Sequence, residues 1–340
     1  MTKQTRKTMA KRKQIVTVTG ASGFVGRHVL ERLLEEPGVE VRAVVHSRKG
    51  AKALERFAEK IECIEGDITQ ADSLVAALEG AWGVINIAGY REFWSASREQ
   101  FYALNQQGAS NVFGACLDMG VKKVVQVSTP LAWGVPDVLP FNEDSAPGQH
   151  PSDYARSKHL GDEAGWRLHR ENKLPLTVVH LAAVIGAGDD KATMEVRRVV
   201  DGNLPALVGA DTTYTYVYVR DAAEAIVRAL LSKKSVGRKY LIGDQRATTR
   251  EYFKMIGRIA GVKVPDRNIP EAWLLPAAMA MEALSKVTRR RPVLPLDVLK
   301  TTAAGSLLFD GSRAINELGM NYTSLETALA ESVEDIRRTG

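Results

Sequence analysis

Cysteine is scarce: among 340 residues only Cys63 and Cys116 occur, far apart and without the paired spacing of a metal site. That scarcity excludes a disulfide-stapled scaffold and points to a reducing, cytoplasmic setting with no metal centre. No stretch reaches 18 uninterrupted apolar residues, so a membrane-spanning helix is not expected. A charged start, apolar core and small-residue cleavage site are also missing, so no secretory signal is expected. Aromatic residues make up 6% of the chain, and none interleaves with the basic residues of the amino-terminal arm. Alternation of the two would mark a single-stranded nucleic-acid platform.

Charge of one sign is scarce too once that arm is set aside. Lys3, Arg6, Lys7, Lys11, Arg12 and Lys13 fall in residues 1–13, which hold no acid, and they account for the net charge of +6. The remainder carries 40 basic and 40 acidic residues, so the folded body is near neutral and nucleic acid is not its expected partner. Such an arm would suit contact with nucleic acid or an anionic membrane, but the expected reading is a disordered leader or, given Met9, a translation-start artefact.

What is present is a regular rhythm. Strand candidates at Ile15–Thr19, Val39–Val45, Ile61–Ile64, Val84–Ile87, Lys123–Val127 and Leu176–Leu181 alternate with helical patterns near 24–35, 50–59, 70–79, 97–119 and 153–171. Several strands are almost continuously apolar, as expected where helices cover both faces of a parallel sheet. The expected fold is therefore α/β, a doubly wound parallel sheet of Rossmann type. After residue 182 loops rich in Gly and Asp interrupt the pattern, and Pro265, Pro270, Pro276, Pro292 and Pro295 break up the later helices. This predicts a nucleotide-binding domain over 14–182, with 214–242 returning to it. A smaller, mainly helical substrate lobe is expected from 183–213 and 243–340.

The first strand runs directly into Thr19-Gly20-Ala21-Ser22-Gly23-Phe24-Val25-Gly26, three glycines spaced three apart. Gly20 takes the backbone angles of the tight turn, Gly23 leaves room for a phosphate, and Gly26 lets the new helix pack closely. Free N–H groups in the first helical turn then face an anion. Gly20, Ser22, Gly23, Phe24, Val25 and Gly26 are thus the expected pyrophosphate cradle.

Tyr154 and Lys158 stand four apart in a helical pattern, so both side chains share one face. A nearby ammonium favours a phenolate and moves an otherwise inert tyrosine toward useful proton transfer. A surface tyrosine beside a solvated lysine would give the same pair. The fifth strand ends in Ser128-Thr129-Pro130, which places hydroxyls where a ligand would bind, although such residues also simply make turns.

Taken together, Thr19-Gly20-x-x-Gly23-x-x-Gly26, Gly66-Asp67, Asn105, Ser128-Thr129, Tyr154-x-x-x-Lys158 and Val219-x-Asp221 resemble the extended short-chain dehydrogenase/reductase family over residues 14–335. Tyr90-Arg91-Glu92-Phe93-Trp94 and Phe309-Asp310 are similar to its dihydroflavonol reductase and 3β-hydroxysteroid dehydrogenase-like branch. The resemblance implies Tyr154 as general acid or base and Lys158 on the nicotinamide ribose. It also implies Thr129 as the substrate-orienting hydroxyl, with Ser128 its rival, and Asn105 as an organiser of a water or backbone contact. Asp67 and Ile68 would meet the adenine, and Ala88, Gly89 and Leu181 would complete the cofactor contacts. The chain departs from the family where Asn86-Ile87-Ala88-Gly89, His180-Leu181 and Ile185-Gly186-Ala187 stand.

The second strand ends in His46-Ser47-Arg48-Lys49 rather than in an acid. An acid there binds a ribose 2′-hydroxyl, whereas His46, Arg48 and Lys49 suit a 2′-phosphate, so NADP(H) is expected over NAD(H). Arg48 and Lys49 would also serve as the solvated start of a helix. A consumed NADPH suggests a reductase of an aldehyde or ketone. The alternatives are a nucleotide-sugar epimerase/dehydratase, a 3β-hydroxysteroid dehydrogenase, and a non-catalytic redox sensor. Tyr90, Phe93, Trp94 and Trp133 are either an apolar substrate wall or ordinary core. Trp273-Leu274-Leu275 to Met281, followed by Arg289-Arg290-Arg291, suggests a buried lid helix or a dimer contact in a monomer or homodimer. A peripheral membrane contact is the less favoured reading of that segment.

Overall fold

The computed structural model describes residues 13–303 and 307–339. The basic arm expected at 1–13 thus lies almost wholly outside the described residues.

Twelve strands occur among the described residues. β1 (Gln14–Thr19), β2 (Val39–Val45), β3 (Ile61–Glu65), β4 (Gly83–Asn86), β5 (Lys123–Ser128) and β6 (Leu176–Leu181) lie close to the bounds read from the sequence. They are followed by β7 (Ala183–Ile185), β8 (Leu207–Val208), β9 (Thr213–Tyr218), β10 (Lys239–Ile242), β11 (Gln245–Thr248) and β12 (Asn268–Ile269). Seven of them form one sheet in the order β10-β6-β5-β4-β1-β2-β3, every neighbouring pair parallel. Residues along β4, β5 and β6 are buried throughout, because helices cover both faces. The strand order reverses between β1 and β4, and the crevice at their carboxyl ends is where ligands of such sheets bind.

A row of buried side chains ties those ends together. Thr19 Oγ1 donates to Asn86 Oδ1 at 2.5 Å, and Asn86 Nδ2 donates to Gln126 Oε1 at 2.7 Å. The three residues are direct register partners on β1, β4 and β5. Thr19 Oγ1 also accepts the backbone N–H of Ala88 at 3.2 Å, which draws the loop after β4 onto the loop after β1.

Two parts of the architecture differ from expectation. Thr213–Tyr218 does not return to the large sheet. It pairs with β7 and β11 in a separate three-stranded sheet, and only the helix Val219–Leu231 and β10 rejoin the nucleotide side. The chain leaves the large sheet at Ala182, rejoins it at β10 and leaves it again at Gly243, so the second lobe is built on a small sheet and on a short β8–β12 pair as well as on helices. Its own core gathers Val196, Val199, Tyr252, Ile256, Leu329 and Val333.

The helix Glu271–Thr288 is not buried, contrary to the lid reading. It packs chiefly on the helix Leu296–Ala303, and among its described side chains only Ala278 and Ser285 turn fully inward, leaving Trp273 77% exposed. The helix expected at 50–59 divides into Arg48–Lys52 and a single 3-10 turn at Glu55–Phe57, which buries Phe57.

Asn86→Ala removes the centre of the buried row and strands the polar atoms of Thr19 and Gln126. The expected loss in unfolding free energy is about 1–3 kcal/mol, measured by urea denaturation. A change below a few tenths would show that the row carries no structural weight.

Candidate active site

The crevice opens into one continuous cavity of 1020 Å³ that runs from the glycine loop, past the ends of β4 and β5, to the small sheet. Such a volume exceeds what one drug-sized ligand needs and suits a dinucleotide together with a second molecule.

Its first end is the glycine turn. Gly20 sits at φ +68°, and a Cβ there would lie 2.7 Å from the Ala88 backbone nitrogen. A Cβ on Gly26 would come within 2.7 Å of the Ala21 carbonyl oxygen, so the helix Phe24–Leu34 can start this close to β1 only without a side chain. Gly23 caps that helix in an extended conformation and contributes no side chain. Gly20, Ser22, Gly23, Phe24, Val25 and Gly26 all line the cavity, as do His46, Asp67, Ile68, Ala88, Gly89 and Leu181. Asp67 is held by its own turn, its Oδ1 accepting from the Thr69 backbone and hydroxyl at 2.8 Å each. The bare turn and open helix start fit a pyrophosphate. Arg48 and Lys49 are exposed at the first turn of Arg48–Lys52 and are not among the residues that line the cavity. Ser47 caps that short helix, accepting from Gly50 N–H at 3.2 Å, and this turns both cations toward water beside His46.

At the middle of the cavity stand Thr129, Tyr154 and Lys158. The helix Asp153–Asn172 begins here because the Ser152 hydroxyl accepts the Ala155 N–H at 3.2 Å. It places Tyr154 near the Thr129 hydroxyl, with the Phe93 ring edge-on at 5.3 Å. Burial pushes the phenol up to about 12, while the Thr129 hydroxyl and the Arg91 guanidinium draw it down. Lys158, one turn on, donates to the Val127 carbonyl at 2.9 Å. Burial lowers its pKa, and Asp162 one turn on opposes that.

Beneath Lys158 lies a set of groups that motif reading passed over. Ser128 Oγ donates to Asp162 Oδ2 at 2.5 Å, and His180 Nδ1 lies 3.8 Å from the same oxygen and 3.2 Å from the Thr129 carbonyl. Burial raises Asp162 to about 6 against the pull of Lys158, and burial depresses His180 to about 3. Ser128 therefore touches both the cavity and this buried carboxyl, while Thr129 faces the phenol. Spacing alone offered one signal, since Asp162 follows Lys158 by the same four residues that separate Lys158 from Tyr154.

Asn105 sits in a π-turn, Ala103–Gln107, inside the helical run 99–118. Its side chain clamps the backbone of Tyr90, accepting from the N–H at 2.7 Å and donating to the C=O at 3.0 Å, and it also donates to Ser157 Oγ at 3.0 Å. A π-turn in a helix commonly marks a functional position. Here it lets one asparagine join the cavity wall at Tyr90 to the helix that carries Tyr154.

The far end is formed by Tyr214, Tyr216, Tyr252, Phe253 and Phe309, with Arg91, Asp189, Glu195 and Arg198 among them. Most of these come from the second lobe, and the sequence did not single out Tyr214, Tyr216, Tyr252, Phe253, Asp189 or Glu195. Two tryptophans read as substrate wall are placed elsewhere. Trp133 is 5% exposed and packs on Phe141 and His180, because the Thr129-capped turn Pro130–Trp133 rotates it into the core. Trp94 lies outside the cavity and donates through Nε1 to Ser285 Oγ at 3.3 Å, while Tyr90 and Phe93 do line it.

The model of the NAD dependent epimerase/dehydratase family matches residues 16–243. The chain is 27% identical over 335 residues to a Synechocystis sp. protein with the provisional name dihydroflavonol 4-reductase, covering 95% of this chain and 94% of that one. It is 26% identical over 330 residues to sterol demethylase protein B of Methylococcus capsulatus, covering 95% and 98%. The crystal structure of gox2253 superposes with a TM-score of 0.82 at 28% identity, covering 96% of this chain and 99% of that one.

His180 gives this site a pH signature. Its imidazole, depressed to about 3 from 6.5 by burial, refuses a proton that the unfolded chain accepts. Its contribution to stability is complete above about pH 6.5 and is lost as pH falls toward 3. Asp162, raised to about 6, acts in the opposite sense, its contribution present below 3.8 and lost as pH rises through 6. Thermal melts from pH 7 to 4 are therefore expected to fall less steeply in His180→Gln than in the parent protein. Equal slopes would mean that the folded imidazole takes up its proton.

Proposed function

Because this chain belongs to the NAD dependent epimerase/dehydratase family, we propose that it is an NADPH-dependent reductase of an apolar aldehyde or ketone. It is an enzyme of the short-chain dehydrogenase/reductase type, acting at a CH–OH or carbonyl centre and using a nicotinamide dinucleotide. The observation that carries the reading is the placement of the Tyr154 phenol near the Thr129 hydroxyl inside a cavity continuous with the glycine cradle.

The cradle residues Gly20 to Gly26 would hold the pyrophosphate, Asp67 and Ile68 the adenine, and Lys158 the nicotinamide ribose. When bound, the nicotinamide supplies the hydride. Thr129 then holds the substrate oxygen, and Tyr154 gives its proton to that oxygen as the carbonyl carbon becomes tetrahedral. A phenol held near 12 keeps its proton at neutral pH, yet it readily yields it to an alkoxide, a far stronger base. That poise supports the reducing direction, and a proton from water restores the phenol. Buried Asp162 sits one turn below Lys158 and opposes the lowering of its pKa by burial. The aromatic far end, with Phe253 and Phe309, would take the apolar part of the substrate. The dihydroflavonol and sterol named for two relatives are of that kind.

His46, Arg48 and Lys49 at the end of β2 support NADPH, since no carboxylate stands there to repel a 2′-phosphate. The second reading is a nucleotide-sugar epimerase or dehydratase. It is supported by Arg91 and Arg198, two cations that line the substrate end of the cavity and would suit a diphosphate.

A panel of aldehydes, ketones, steroids and nucleotide sugars, assayed by NADPH and NADH consumption, tests the proposal. Net NADPH oxidation with an apolar carbonyl is expected, and kcat falls about 10²–10⁴-fold in Tyr154→Phe while NADPH binding is retained. Conversion of a nucleotide sugar without net NADPH loss would select the second reading. Arg48→Ala is expected to weaken NADPH binding by about 10–100-fold and to leave NADH binding unchanged, by fluorescence titration. Equal effects on both would remove Arg48 from cofactor choice.

A further inference from the structure

The helix Glu271–Thr288 turns an apolar face to solvent. Trp273 is 77% exposed, Met279 57%, Leu284 62% and Val287 82%. The exposed positions between them, Pro276, Ala277, Ala280 and Ala283, are apolar as well. Among the described side chains between 273 and 287 the one charged group is Glu282, which is half-buried; the sequence holds one further charge there, Lys286. A soluble-protein helix normally places its charges on the outer side, and a contiguous apolar surface of this kind marks an interaction site. Its orientation is fixed, since Ser285 is buried on the opposite side, accepting from Trp94 Nε1 and donating to the Glu282 carbonyl at 2.7 Å.

The helix ends in three exposed arginines. Arg291 pairs with Glu92 at 3.2 Å, whereas Arg289 and Arg290 have no ion pair among the described residues. An aromatic residue at one end, aliphatic side chains along the middle and guanidinium groups at the other form the pattern of a helix lying in a lipid interface. Acyl chains cover the aliphatic side chains without needing a matched shape, and phosphate headgroups meet the arginines. The helix spans about 27 Å at 1.5 Å per residue, but no helix of the described residues is long and apolar enough to cross a membrane. Just past the arginines, Val293 is 89% exposed and Leu294 lines the cavity, so the face adjoins the cavity wall.

We propose that this face docks in the plane of an anionic phospholipid bilayer, with Trp273, Met279, Leu284 and Val287 inserted and Arg289 and Arg290 on headgroup phosphates. Docking would bring the cavity beside a phase in which an apolar carbonyl compound concentrates. The contact itself does not depend on the reductase reading, because it is measured without turnover.

The test is co-sedimentation of the full chain with vesicles of phosphatidylcholine, alone or with phosphatidylglycerol. Binding is expected to the anionic vesicles and to weaken as salt rises. Neutralising one arginine near the surface costs about fivefold in partition, so Arg289→Gln with Arg290→Gln weakens binding about 25-fold. Met279→Glu with Leu284→Glu is expected to abolish binding while leaving the melting temperature and NADPH binding as in the parent protein. The proposal is overturned if the parent protein stays in the supernatant at every composition. Vesicle binding undiminished in the Met279→Glu, Leu284→Glu protein overturns it too, and assigns the lipid contact elsewhere in the chain. A dimer seen by sedimentation velocity that this double variant dissolves, with no vesicle binding, identifies a second copy as the occupant instead.

Discussion

The loop after β1 and the loop after β4 meet backbone to backbone, and the rest of the site depends on that approach. A Cβ on Gly20 would stand 2.7 Å from the Ala88 nitrogen, and directly below, the Thr19 hydroxyl accepts the Ala88 N–H and donates to Asn86. The row continues to Gln126 on β5. Three strand ends are thereby held level at the point where the strand order reverses. The helix that begins at Phe24 and the turn that carries Thr129 both leave from that fixed edge, one on each side of the crevice.

On the β5 side the arrangement rests on buried polar groups. The phenol of Tyr154 lies near the Thr129 hydroxyl, and one turn along its helix Lys158 is anchored to the Val127 carbonyl. Asp162 and His180 lie below, and burial moves their titrations in opposite directions. An isolated ammonium at this depth would surrender its proton, and the nearby carboxyl is what resists that. Asn105 links the helix that carries Tyr154, through Ser157, to the cavity wall at Tyr90.

Much of this was legible in the sequence for physical reasons. Buried parallel strands must be nearly all apolar, which is why β4, β5 and β6 appear as runs in the chain, whereas edge strand β3 holds two glutamates and buries no residue. The glycine spacing was legible because Gly20 and Gly26 occupy places that no side chain fits. Features set by distant partners were not. Thr213–Tyr218 alternates like any strand, and nothing local says that it pairs with Ala183–Ile185 and Gln245–Thr248 rather than with the large sheet. Trp133 reads equally as wall or core, and the turn capped by Thr129 decides for the core. The composition of Glu271–Thr288 suits a buried helix; its exposure follows from its place at the edge of the second lobe, where Leu296–Ala303 is its main neighbour.

The central proposal is that the cavity passes a hydride from NADPH to a product that leaves with it, rather than lending and recovering it within one turnover. Turnover with NADPH carrying deuterium at the transferable position of the nicotinamide ring tests this most directly, with mass spectrometry of the product and a count of NADP⁺ formed. The account predicts one deuterium on the new carbinol carbon for each NADP⁺ released. A product free of deuterium, formed with no accumulation of NADP⁺, would contradict it and place the chain with enzymes that recycle their nicotinamide.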